Sequence, residues 1–109
     1  MDETFFRTLL FDFYGDLLTE KQREYYDLHY NQDLSLQEIA EQYGTSRQAV
    51  WDIIRRSEQS LREIEGKTGL VARAIKRRRV IDELLECAQR LDNAELRRKF
   101  TERLNLLYD

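Results

Sequence analysis

The residues with recognisable chemistry crowd into one segment, SRQAVWDIIRR, spanning 46–56. Arg47 carries a planar fork suited to the acceptor pair on guanine. The amide of Gln48 suits the donor–acceptor pair on adenine. If a helix begins at Ser46, the free N–H groups of Ser46, Arg47 and Gln48 point outward and can bind a phosphate. Arg55 and Arg56, with Arg62 further on, are placed to run along a nucleic-acid backbone or against a partner. Two residues pull the other way. Asp52 faces a negative duplex unless it accepts from cytosine. Trp51 has no acceptor for reading a base edge; its face suits a protein interface or an unpaired base. The chemistry is recognition. Catalytic residues, a metal site and a cofactor site are not expected: no nucleophile–base set or phosphate-binding glycine loop is present, His29 is the only histidine, and Cys87 is the only cysteine.

These side chains need a rigid element, and the surrounding stretch LQEIAEQYGTSRQAVWDIIR (36–55) specifies a helix-turn-helix. Ser35 and Glu38 form a capping box before the first helix. Ala40 is small where two helix axes must approach. Gly44 supplies the left-handed turn. Ser46 caps the second helix, which runs to about Glu65, and Val50 and Ile53 turn toward Ile39.

Before the motif, Phe5, Phe6, Leu9, Leu10 and Phe13 recur at helical spacing, with Leu17 continuing the stripe and Phe11 and Tyr14 broadening it. Gly15 and Asp16 stop this helix. Thr19 and Gln22 cap the next, whose buried side and edges come from Tyr25, Tyr26, Leu28 and Tyr30 and which ends at a turn over Asn31, Gln32 and Asp33. After the motif, Gly66 and Gly69 bracket a break. A long amphipathic helix then carries Val80, Ile81, Leu84, Leu85, Ala88 and Leu91, and Asp92 or Asn93 caps a last helix with Leu96, Phe100, Leu104 and Leu107. The run Lys76, Arg77, Arg78, Arg79 exceeds one helical turn, so two of its arginines should border an apolar seam, meeting phosphates or carboxylates such as Asp12 and Asp16.

The expectation is an all-α protein of about six helices. It comprises a helix-turn-helix domain over 1–66 and a C-terminal helical extension over 67–109. That extension would pack on the N-terminal helix or on a second subunit, and a homodimer is the expected assembly. Charge is unevenly spread. Residues 1–46 hold three basic and ten acidic side chains, 47–79 ten and four, and 80–109 five and seven, for the overall −3. A basic middle third suits nucleic acid, and equally a helical hairpin lying on an acidic first half. No apolar run reaches the roughly 18 residues of a membrane span. The start MDETFF does not read as a signal peptide, and a lone cysteine fits a reducing compartment, so a cytoplasmic location is expected.

From Leu18, LTEKQREYYDLHYNQDLSLQEIAEQYGTSRQAVWDII resembles region 4 of bacterial sigma factors, which reads promoter DNA with a helix-turn-helix. Trp51 and Asp52 depart from that pattern, whose matching positions are commonly polar or basic. The chain as a whole is more similar to the YlxM family, small helix-turn-helix proteins associated with the bacterial signal recognition particle. The similarity rests on LLFDFYGDLLTEKQREYYDLHY (9–30), LSLQEIAEQYGTSRQAVWDIIRRSE (34–58) and the basic helix that follows. The resemblance implies a regulatory or accessory role in that pathway. Three readings stay open: a regulator binding duplex DNA, an accessory binding the particle's RNA or its GTPase, and a protein–protein scaffold.

Overall fold

The computed structural model describes residues 2–108, and among them it contains six α-helices and no strand. They are α1 (Glu3–Tyr14), α2 (Glu20–Tyr26), α3 (Leu36–Tyr43), α4 (Arg47–Thr68), α5 (Leu70–Gln89) and α6 (Ala94–Asn105). The contacts divide the chain into two units, one up to Val71 and one from Ala72 onward.

In the first unit α4 is the central element, packing against α1, α2 and α3. Its buried residues are Val50, Ile54, Ser57 and Leu61, one per turn along one side of the helix. The motif core joins Val50 and Ile54 to Ile39 and Ala40 of α3 and to Tyr25 of α2. Ile53 packs at its edge, half-buried. The deepest contact is thus made by Ile54 rather than Ile53, with Tyr25 of α2 adding a third wall to the motif core. Ser57 is buried without an orphaned polar atom: its hydroxyl donates to the Ile53 carbonyl at 2.7 Å.

The expected local signals close the helix ends. Thr19 with Gln22 and Ser35 with Glu38 form reciprocal capping boxes, and Ser46 Oγ accepts from Ala49 N–H. Gly44 stands at φ 64° and ends α3 in the left-handed region. Gly69, also at φ 64°, ends α4. Gly66, read from sequence as part of the break, lies inside α4. The helix is held on both sides of it, since the Tyr14 hydroxyl donates to Glu65 Oε1 at 2.6 Å and lies 2.5 Å from Thr68 Oγ1.

The same anchor sets the rotation of α1. Leu10 and Tyr14 are buried, while Phe5, Phe13 and Leu17 of the expected stripe stay exposed. Phe11 stacks on Tyr26 at a centroid distance of 5.5 Å, and the Tyr26 hydroxyl donates to the Arg7 carbonyl at 2.9 Å. Helix α2 runs into a π-helical turn over Asp27–Asn31. There the Asp27 carboxylate accepts from both the Asn31 and Gln32 side-chain amides, at 2.8 and 2.7 Å. His29 Nδ1–H donates to the Leu34 carbonyl at 2.8 Å. The histidine thus closes a turn.

In the second unit α5 and α6 are bridged by Gln89 Nε2 to Thr101 Oγ1 at 3.3 Å. Arg97 donates to the Leu91 carbonyl at 2.7 Å, and Asn93 caps α6. Ile81 and Ala88 are buried, whereas Val80, Leu84, Leu96 and Phe100 are exposed. Among the described residues no helix is long and apolar enough to cross a membrane.

Replacing Gly44 tests the turn by itself, since a Cβ there meets nothing within 4 Å. Gly44→Ala should therefore cost only the left-handed backbone term, about 1–2 kcal/mol in chemical denaturation. A neutral change would mean that the turn is not fixed in that conformation.

Candidate nucleic-acid interface

The buried side of α4 dictates what faces outward. Ser46, Arg47, Gln48, Trp51, Arg55 and Arg56 are exposed, and Asp52 is half-buried. Arg47, Trp51 and Arg55 follow one another at four-residue steps and form a single outward row. Two grooves flank Trp51. The first, of about 740 Å³, runs between α3 and α4 and is lined by Leu36, Gln37, Ala40, Glu41, Thr45, Ser46, Arg47, Gln48 and Trp51. The second, of about 520 Å³, lies toward α1 and the π-helical turn, lined by Arg7, Tyr30, Trp51, Arg55, Glu58, Gln59, Arg62 and Glu63.

The arginines fall into two groups. Glu58 takes Arg7 Nε on one carboxylate oxygen and Arg62 Nε on the other, both at 2.9 Å. Arg62 also pairs with Glu3 and lies 5.2 Å over the Phe6 ring, while the Arg7 guanidinium lies 4.8 Å over Tyr30. Burial pushes the Glu58 carboxyl up, but hydrogen bonds from Arg62, Arg7 and Tyr30 outweigh it and hold the group below its ordinary value. Burial first, then the Glu58 charge, pushes the Tyr30 hydroxyl up to about 12. Arg62, read from sequence as a backbone or partner contact, therefore has its charge engaged inside the domain. Arg47, Arg55 and Arg56 hold no ion pair among the described residues. Gln48 is also engaged: its side-chain amide donates to Asp52 Oδ1 at 3.0 Å.

Lys76, Arg77, Arg78 and Arg79 belong to the second unit and are all exposed. Arg78 lies 5.3 Å over the Tyr108 ring, whose hydroxyl donates to Asp82. Asp16, expected as a carboxylate partner for this run, pairs with Arg23 at 3.2 Å. Arg7, Tyr30 and Glu58 were not identified as groove residues from sequence. Glu58 and Arg62 carry a local signal, four apart on a helix. Arg7 stands 51 positions from Glu58, with nothing local to mark it.

A tight glycine turn between two capped helices, with an exposed polar row on the second, defines a helix-turn-helix protein. The chain belongs to the UPF0122 family: the family model described as "Putative helix-turn-helix protein, YlxM / p13 like" matches residues 1–106. It is 52% identical over 90 residues to a UPF0122 protein of Symbiobacterium thermophilum, covering 83% of this chain and 84% of that one. It is 46% identical over 95 residues to a UPF0122 protein of Halalkalibacterium halodurans, covering 87% of each. A UPF0122 protein of Geobacillus kaustophilus is likewise 46% identical over 95 residues, covering 87% of this chain and 86% of that one. This is a family of helix-turn-helix proteins, not an enzyme family.

The Glu58 network gives a pH signature. Its folded-state value lies below the unfolded one, so its stabilisation is complete above about pH 4.3 and disappears as pH falls through the folded value. Glu58→Gln should lower stability at neutral pH by about 1.5–3 kcal/mol. The gap to wild type should narrow progressively in melts run at pH values falling below about 4.3. A gap that persists at low pH would assign the effect to packing.

Proposed function

We propose that the protein is a regulatory factor that binds duplex DNA through the N-terminal half of α4. One observation carries this reading. Among the described residues, Arg47, Arg55 and Arg56 are exposed without ion pairs on the helix that a helix-turn-helix inserts in the major groove, whereas Arg7 and Arg62 are neutralised within the fold. Arg47 and Gln48 read base edges, Gln48 after releasing Asp52, and Asp52 then accepts from cytosine. Ser46 offers its backbone N–H to a phosphate, and Arg55 and Arg56 follow the strand. The resemblance to the YlxM family supports a link to the signal recognition particle pathway, and with it a cytoplasmic site of action.

A second reading is supported by Trp51, whose indole lines both grooves and offers a duplex no base-reading group. In that reading the protein is an accessory that binds the particle's RNA or its GTPase, with the α4 row as the contact and the exposed Lys76–Arg79 run as a further basic surface. The exposed Val80, Leu84, Leu96 and Phe100 support assembly as a homodimer, because a second copy can cover them.

Duplex affinity should fall steeply with salt. The double variant Arg55→Ala/Arg56→Ala should flatten the log–log slope by about 1–2, near 0.9 for each phosphate no longer neutralised. Binding that ignores salt would point to a protein partner instead. Sedimentation of the full chain should give a dimer that Phe100→Glu converts to monomer; a monomeric wild type would refute that assembly.

A further inference from the structure

The row Arg47–Trp51–Arg55 has a feature that major-groove reading does not use. Four-residue steps on an α-helix rise about 6 Å, so the indole sits between two guanidinium groups, one turn away on each side. Among the described residues neither arginine is held by an ion pair. The indole also forms the shared wall of the two grooves. Toward α1 the groove is also lined by the Arg7–Glu58–Arg62 cluster, whose charges are mutually engaged, and by Gln59 and Glu63. The space beside the indole is therefore flat on one wall and poor in unbalanced negative charge apart from Glu63.

The interior of a duplex presents base edges and phosphates but no free base face, so it leaves the Trp51 ring unused. An aliphatic side chain from a protein partner could cover the ring but would leave the unpaired guanidinium groups of Arg47 and Arg55 without an anion. A planar heteroaromatic ring with hydrogen-bonding edges matches both properties. Stacked on the indole, it would place its flanking phosphates toward Arg47 and Arg55.

We propose that Trp51 is a stacking site for an unpaired nucleobase, with Arg55 and, in place of its base-edge contact, Arg47 as phosphate contacts on either side. The preferred ligand is then a duplex that ends in, or is interrupted by, single-stranded residues. The proposal rests on the reading of the outer face of α4 as a nucleic-acid surface, and adds a preference which that reading lacks.

Trp51 is the only tryptophan in the chain, so its fluorescence reports the site directly. The full chain is titrated with a blunt duplex, with the same duplex carrying a short single-stranded extension, and with one whose extension is abasic. The base-bearing extension should quench the indole and bind about tenfold tighter than the blunt duplex, while the abasic extension should do neither. Deoxyribose and ribose extensions are compared, and the tighter of the two identifies the source of the base. Followed by anisotropy of a labelled strand, Trp51→Ala should lose the tenfold preference, and Trp51→Phe should keep most of it. If Trp51→Ala fails to fold, the abasic comparison on wild type and the Trp51→Phe result decide the matter.

Equal binding of blunt, base-bearing and abasic ligands overturns the stacking site while leaving duplex recognition standing. Absence of binding to any nucleic acid overturns both. Quenching only by a protein such as the particle's GTPase would assign the face to a protein contact and overturn both as well.

Discussion

The rotational phase of α4 is the constraint from which the other features follow. Exclusion of water from Val50, Ile54 and Leu61 contributes about 1.5–3 kcal/mol for each side chain, and three helices supply the covering surface. A helix of 22 residues is a rigid rod about 33 Å long, so the phase fixed at Val50 is carried without loss to Leu61. The outward row of Arg47, Trp51 and Arg55 is thus set by burial on the opposite side. It is not set by any contact the row makes for itself.

The same phase sorts the basic residues of the middle third. Arg62 comes round to the side facing α1 and is neutralised by Glu58 and Glu3, with Arg7 joining from the other helix. The net charge of +6 over 47–79 counted from sequence therefore overstates the field at the surface. What counts for an anionic ligand is the smaller set of arginines left without an internal partner. Salt screens such exposed charges within a Debye length of about 8–10 Å, whereas the half-buried Glu58 cluster is screened much less.

How much of this was legible from sequence depended on the distance between the interacting residues. The capping boxes at Thr19 and Ser35, the cap at Ser46, and the turns at Gly44 and Gly69 each involve residues a few positions apart, so the local pattern contains the whole interaction. The helix-turn-helix was readable for that reason, and so was the set of side chains at its outer face. The rotation of α1 was not, because Tyr14 reaches Glu65 and Thr68 more than fifty residues away. That contact buries Leu10 and leaves Phe5 and Phe13 outside. Gly66 reads as a breaker locally, at a cost of about 1 kcal/mol in a helix. The same Tyr14 anchor bridges it. The Asp27 grip on Asn31 and Gln32 lengthens the last turn of α2 by a rule that hydrophobic periodicity does not record.

The hydrogen bond between Gln48 and Asp52 has an energetic consequence of its own. In the free domain one amide N–H of Gln48 donates to one carboxylate oxygen of Asp52. A ligand that takes that N–H or that oxygen must first break this bond, and so exchanges one hydrogen bond for another. The exchange adds little to the strength of binding, but its balance depends on what the ligand offers. A group with both a donor and an acceptor in reach restores what was broken. One that offers only half leaves a polar atom stranded, at about 1–3 kcal/mol. In the proposed complex the pair would act as a filter, with tightness coming from the neighbouring arginines and the choice among ligands from two residues already bonded to each other.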